Sequence, residues 1–186
     1  MTAASVYGCY PEEGYEWVFP RRKSDRVAMD ALDGAPRLPT WHPVPVELPR
    51  MFNDGVVRKP ADLPWCNSET IVLGERAMSA LGPLLSEAGE LLPLQADDRN
   101  LWIFNALTVV DALDLERSEV VRFSSGRIMD IVRYVFFAEK VRELTAFKLP
   151  QEHSGSLYVG ERVVEAAARE GLRGTIFKRV WSQEEE

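Results

Sequence analysis

The chain is poor in the residues that usually do chemistry. It holds two histidines, His42 and His153, and two cysteines, Cys9 and Cys66, in 186 residues. A zinc site needs several imidazole or thiolate ligands at short spacing, so the sequence disfavours one. Two cysteines make no disulfide framework, and a reducing, cytoplasmic setting fits them best. No apolar run approaches the roughly 20 residues of a membrane-spanning helix. The N-terminal stretch carries Pro11, Glu12 and Glu13 and lacks the basic-then-apolar order of a signal peptide. The glycines are scattered singly, with no Gly-x-Gly-x-x-Gly phosphate loop. No cofactor is expected.

Positive charge is also scarce in one region. The net charge is −7. Residues 1–60 balance, with eight basic and eight acidic side chains, and residues 122–186 nearly do, with eleven and ten. Residues 61–121 hold three basic side chains, Arg76, Arg99 and Arg117, against eleven acidic ones. Phosphate contacts need clustered Lys and Arg, so direct nucleic-acid binding is disfavoured. An acidic face suits a basic protein partner through complementary potential. The plainer alternative is a solvated acidic face with no partner.

What the chain does have is apolar content, at 46%, enough for a sizeable core. Eight of the twelve prolines lie between Pro11 and Pro60. Proline fixes φ and removes a donor, so residues 1–60 are expected to be an irregular segment packed on the body. Tyr7, Tyr10, Tyr15, Trp17, Phe19 and Trp41 would anchor it, with a short strand over Tyr15–Phe19. Residues 61–182 are expected to form one α+β domain, and residues 183–186 a disordered acidic tail.

Within that domain Ile71-Val72-Leu73 reads as a buried strand, and Gly74-Glu75 opens a helix that Gly89 would end. Pro83 would kink it. Leu91–Leu94 reads as an edge strand, because Pro93 cannot donate to a ladder. Leu101–Leu107 reads as another strand, after a turn at Asp97–Asn100. Val120–Phe123 and Ile128–Phe137 read as a hairpin around Gly126, the β-branched content favouring strand over helix in the second arm. Leu157-Tyr158-Val159-Gly160-Glu161-Arg162 echoes Ile71-Val72-Leu73-Gly74-Glu75-Arg76, and each is followed by an Ala-rich amphipathic helix and a strand. The expected architecture is a mixed, mostly antiparallel sheet shared by two strand–helix–strand units.

Candidate chemistry is thin. Cys66, beside Trp65, reads as a packed cysteine, and an enzyme pairing it with His42 or His153 is one alternative. A structural or self-associating domain is another. Asp111 and Asp114 are weighed as a carboxylate magnesium site, a spacing common by accident. The most individual stretch is Val109–Glu119, four acids around three alternating apolar residues. It reads either as a turn with Leu113 and Leu115 inward or as a carboxylate ridge offered to a basic partner. Asp97, Asp98, Asp111, Asp114, Glu116 and Glu119 are the candidate contact residues.

Several of these segments together are similar to one family. Asp62-Leu63-Pro64-Trp65, the two Gly-Glu-Arg motifs, Val109–Ser118, Ala146-Phe147-Lys148-Leu149 and Gly171-Leu172-Arg173-Gly174-Thr175-Ile176-Phe177 resemble the eleventh immunity-protein family of bacterial polymorphic toxin systems. The resemblance spans residues from about 60 to 181. Its most specific parts are the Asp-x-x-Asp-x-x-x-Ser segment at 111–118 and the closing Gly-Leu-x-Gly-x-x-Phe. The family often has Ser where this chain has Gly74 and Gly160. The resemblance implies a cytoplasmic antitoxin, not an enzyme, that binds and blocks a cognate toxin. A basic nuclease would suit the acidic middle third.

Overall fold

The structure, a computed structural model, describes residues 3–152 and 155–185. Its strands are β1 (Ser5–Pro11), β2 (Phe19–Pro20), β3 (Val44–Glu47), β4 (Val72–Leu73), β5 (Gly89–Gln95), β6 (Asn100–Ala106), β7 (Glu119–Arg122), β8 (Ile128–Arg133), β9 (Ala146–Phe147), β10 (Tyr158–Gly160) and β11 (Thr175–Ser182). The helices are α1 (Lys23–Asp30), α2 (Glu75–Leu85), α3 (Ala138–Val141) and α4 (Glu161–Arg169). One sheet has the order β11-β1-β10-β9 and is antiparallel throughout. The other runs β2-β3-β5-β6-β4, with β3 and β5 its parallel pair. β7 and β8 form a separate hairpin. The α+β class and the mixed, mostly antiparallel pairing follow.

The repeated unit has a topological basis. β4 and β5 both pair antiparallel with β6, so they run parallel to each other with a strand between them. β10 and β11 flank β1 in the same way. Each helix is therefore the crossover of a split strand–helix–strand unit. The expected shared sheet is replaced by a shared core. Leu73, Ala77, Leu81 and Leu85 of one unit and Val159, Val163, Ala166 and Ala167 of the other belong to one buried cluster. A stripe at i, i+4 and i+8 buries one face of α2, and each fully buried Leu contributes about 1.5–3 kcal/mol.

The motif arginines lock the two units reciprocally. Arg76, at the start of α2, donates to both Asp62 oxygens at 3.1 and 3.0 Å and to the Glu170 carbonyl just past α4. Arg162, at the start of α4, donates to Glu87, just past α2, at 2.8 and 3.0 Å. The N-terminus of each helix thus holds the C-terminal end of the other.

Four expectations are corrected. The N-terminal segment is not simply irregular: β1 lies inside the four-stranded sheet, and α1, β2 and β3 build one side of the five-stranded one. Pro11 and Pro20 end their strands, where a missing donor costs least, and Pro39 lies in a 3-10 turn at Leu38–Thr40. β5 is interior rather than an edge, because β3 joins it at Leu94 and Gln95, beyond Pro93. The Pro93 carbonyl there accepts the Trp41 indole N–H at 2.8 Å. α2 ends at Leu85 and Gly89 instead begins β5. The tail at Gln183–Glu185 is a 3-10 turn, tied down by the Gln183 amide on the Ala4 carbonyl at 2.9 Å; Glu186 lies outside the described residues.

Candidate partner-binding surface

The six candidate carboxylates fall into two groups. Asp97 and Asp98 lie in the turn between β5 and β6, and Asp111 to Glu119 follow the far end of β6. The seven residues of β6 put about 20 Å between those ends. Asp97 is paired with Arg21, and Asp98 with Arg99 at 3.4 Å.

The Asp-x-x-Asp-x-x-x-Ser segment proves to be a fastening. The Asp111 carboxylate accepts a hydrogen bond from Gln151, and its carbonyl accepts one from Lys140 at 2.7 Å. Asp114 folds its carboxylate back onto the amides of Glu116 and Arg117 at 3.0 and 3.2 Å. The Ser118 hydroxyl accepts the Val135 amide at 3.0 Å and donates to the Val135 carbonyl at 3.3 Å. Short side chains that satisfy local backbone groups are what such a turn demands. Ala112 and Leu113 are buried beneath it, whereas Leu115, expected inward, is exposed. Glu116 and Glu119 are left outward, at the foot of the hairpin. The structure therefore engages Asp111, though exposed, and Asp114 within the chain and leaves Glu116 and Glu119 facing outward.

The closing Gly-Leu-x-Gly motif is structural too. Gly171 at φ 59° ends α4, letting the Leu172 amide reach the Ala167 carbonyl at 3.0 Å and burying Leu172. Gly174 at φ 115° turns the chain against Leu63, leaving no room for a Cβ. Asp62 accepts the Arg173 amide at 3.1 Å as well as Arg76, so three of the resembling motifs meet on one carboxylate.

The β7–β8 hairpin carries a surface that sequence reasoning missed. Its inner side chains, Val120, Ile128 and Ile131, pack on a cluster that includes Leu113, Phe136, Phe147 and Trp181. Its other side is apolar as well. Val121 is 38% exposed, Phe123 48%, Met129 53% and Val132 57%. A strand pair with one buried face normally turns polar residues outward, so apolar residues on both sides were the available signal. Arg122 and Arg133 donate to backbone carbonyls, of Gly126 and Arg117, and Arg127 lies over the Phe123 ring at 5.9 Å. None of the three pairs with a carboxylate among the described residues. Beside the hairpin is a recess of about 330 Å³ lined by Phe123, Arg127, Met129, Gln151, Glu152 and Ser156. Burial pushes the Glu152 carboxyl above its usual range. It accepts the Tyr158 hydroxyl at 2.9 Å, and Tyr134 lies 3.2 Å further along.

The thiol-based alternative finds little chemistry. Burial pushes both thiols up to about 12, so neither is a nucleophile at neutral pH. His42 is exposed, with Nδ1 3.1 Å from the Thr40 carbonyl, and His153 lies outside the described residues. Among the described residues no group of three or more His, Cys, Asp or Glu is placed to hold a metal, and no helix is long and apolar enough to cross a membrane.

Residues 95–182 match the family described as Immunity protein family (Imm11). The matched segment takes in β6, the 111–118 fastening, the whole β7–β8 hairpin and the second strand–helix–strand unit. A comparison with curated proteins gives no match.

Proposed function

We propose that this protein is an immunity protein that binds a cognate toxin and blocks it sterically and electrostatically, without chemistry of its own. The match of residues 95–182 to the Imm11 immunity family carries this reading. The two deactivated thiols support it against the cysteine-enzyme alternative.

The toxin we propose is a basic nuclease met in the cytoplasm. The acidic excess of residues 61–121 supports that choice, because a protein that grips nucleic acid must be basic and an acidic inhibitor can occupy the same groove. Of the six candidate carboxylates, Glu116 and Glu119 are the best placed to meet it. Asp97, Asp98, Asp111 and Asp114 already have partners within the chain.

The test is co-expression with the product of the neighbouring reading frame. Rescue from its toxicity together with co-purification is expected; toxicity unchanged by the full chain would overturn the reading. In the purified pair, Glu116→Lys with Glu119→Lys should slow association, and added salt should weaken the unmodified complex.

A further inference from the structure

We infer that the outer side of the β7–β8 hairpin, with the recess beside it, is the surface that seats the toxin. We infer further that the matching toxin patch is an apolar protrusion flanked by carboxylates. This rests on the immunity reading above and names the contact that reading leaves open.

Three observations converge on the hairpin. The first is exposed apolar surface: Val121, Phe123, Met129 and Val132 are exposed on a two-stranded element that already buries its other side, with Asp130 opposite Val121. Contiguous apolar surface of this kind, rimmed by polar groups, marks protein contacts. The second is charge. Arginines 21, 26, 37, 58, 76, 99, 162, 169 and 173 are ion-paired within the chain, whereas among the described residues Arg122, Arg127 and Arg133, like Arg22 and Arg50, form no ion pair with a carboxylate. The segment from Arg117 to Arg133 holds four arginines and two carboxylates in a chain of net charge −7. Arginine beside an exposed aromatic is the composition of binding hot spots, and its planar fork selects carboxylates. The third is shape. The recess of about 330 Å³ is lined by Phe123 and Met129 together with Arg127, so it offers apolar surface and a cation side by side.

The surface is therefore two-signed. Glu116 and Glu119 stand at the foot of the hairpin, and the arginines stand along and beyond it. A partner must supply positive charge at one end and negative charge at the other, which fixes its orientation as well as its affinity.

The experiment uses the full chain and the co-expressed product of the neighbouring reading frame. Phe123→Ser with Met129→Ser alters exposed side chains, so the melting temperature should hold. Binding should weaken about tenfold or more, and rescue should fail. Arg122→Glu with Arg127→Glu should slow association, and its effect should fade as salt is raised. Wild type that rescues alongside a serine variant that rescues equally well overturns the hairpin assignment and leaves the immunity reading standing. Arginine reversal that speeds association overturns the carboxylate-flanked partner. Failure of the wild type itself to rescue sinks both readings.

Discussion

Glu16 is fully buried, yet it sits in an ion pair. Its carboxylate accepts the Ala61 amide at 3.0 Å and pairs with Arg99, whose second nitrogen lies at 3.3 Å. An ion held away from water is tolerable only while its partner stays. Arg99→Ala should cost about 3 kcal/mol or more, and lower Tm by roughly 6–12 °C for a chain of this length. A melt within 2 °C of wild type would show the site to be wetter than this. Glu152 is the opposite case, a carboxyl whose burial favours the neutral form. A group whose folded pKa is raised contributes stability at low pH and loses it as pH climbs through the folded value. Glu152→Gln should therefore be stabilising at pH 7–8 and nearly neutral near pH 4. Chemical denaturation at the two pH values reads the difference. The two thiols, raised to about 12, should resist alkylation at pH 8 until the protein is unfolded. Rapid labelling of Cys66 in native protein would reopen the enzyme alternative.

At the scale of elements, the two glycines that precede the motif helices do different work. At Gly74 a side chain is a tight fit, with the Asp62 carbonyl 3.3 Å from a would-be Cβ, a contact that a shift of a few tenths of an ångström relieves. A serine there gains an N-cap hydrogen bond. At Gly160 the Leu144 carbonyl lies 2.2 Å from that position, so any side chain must push the backbone apart. Gly74→Ser should be neutral or slightly stabilising. Gly160→Ser should lower Tm clearly, and equal melts for the two variants would refute the distinction. Sequence alone treats these positions as equivalent, since both open a helix after a short apolar strand. What separates them is the backbone across the way, which no local pattern reports. The same divide runs through the rest of the fold. The hairpin, β4, β6 and both motif helices were legible, because period and capping are local. The strand status of Ser5–Pro11 was not, because its pairing partners sit at the far end of the chain. At the candidate surface, the acids were legible as charge, but not that four of the six are engaged by the chain itself. The outer side of the hairpin was legible in principle, as apolar residues at both parities of one strand.

For the whole molecule, the relevant quantity is where charge ends up once the chain is folded. The acidic excess of residues 61–121 is largely absorbed. Glu87 meets Arg162, Asp97 meets Arg21, and Glu90 accepts the amides of Arg37 and Leu38 together with Asn105. Under the proposed function, long-range attraction to a basic toxin should then rest on net charge and on a few outward groups. The association rate should fall as salt rises, whereas the dissociation rate, set by the apolar contact, should change little.

The position of β1 sets a clock on folding. Val6 pairs with Gly160 on one side and Trp181 on the other, so the four-stranded sheet closes only around residues roughly 150 and more positions downstream. At roughly 5–20 residues per second of synthesis, β1 waits on the order of ten seconds for its neighbours. A chain still being synthesised lacks this closed sheet. Under the proposed immunity function, protection would rest on finished molecules rather than on chains still being made.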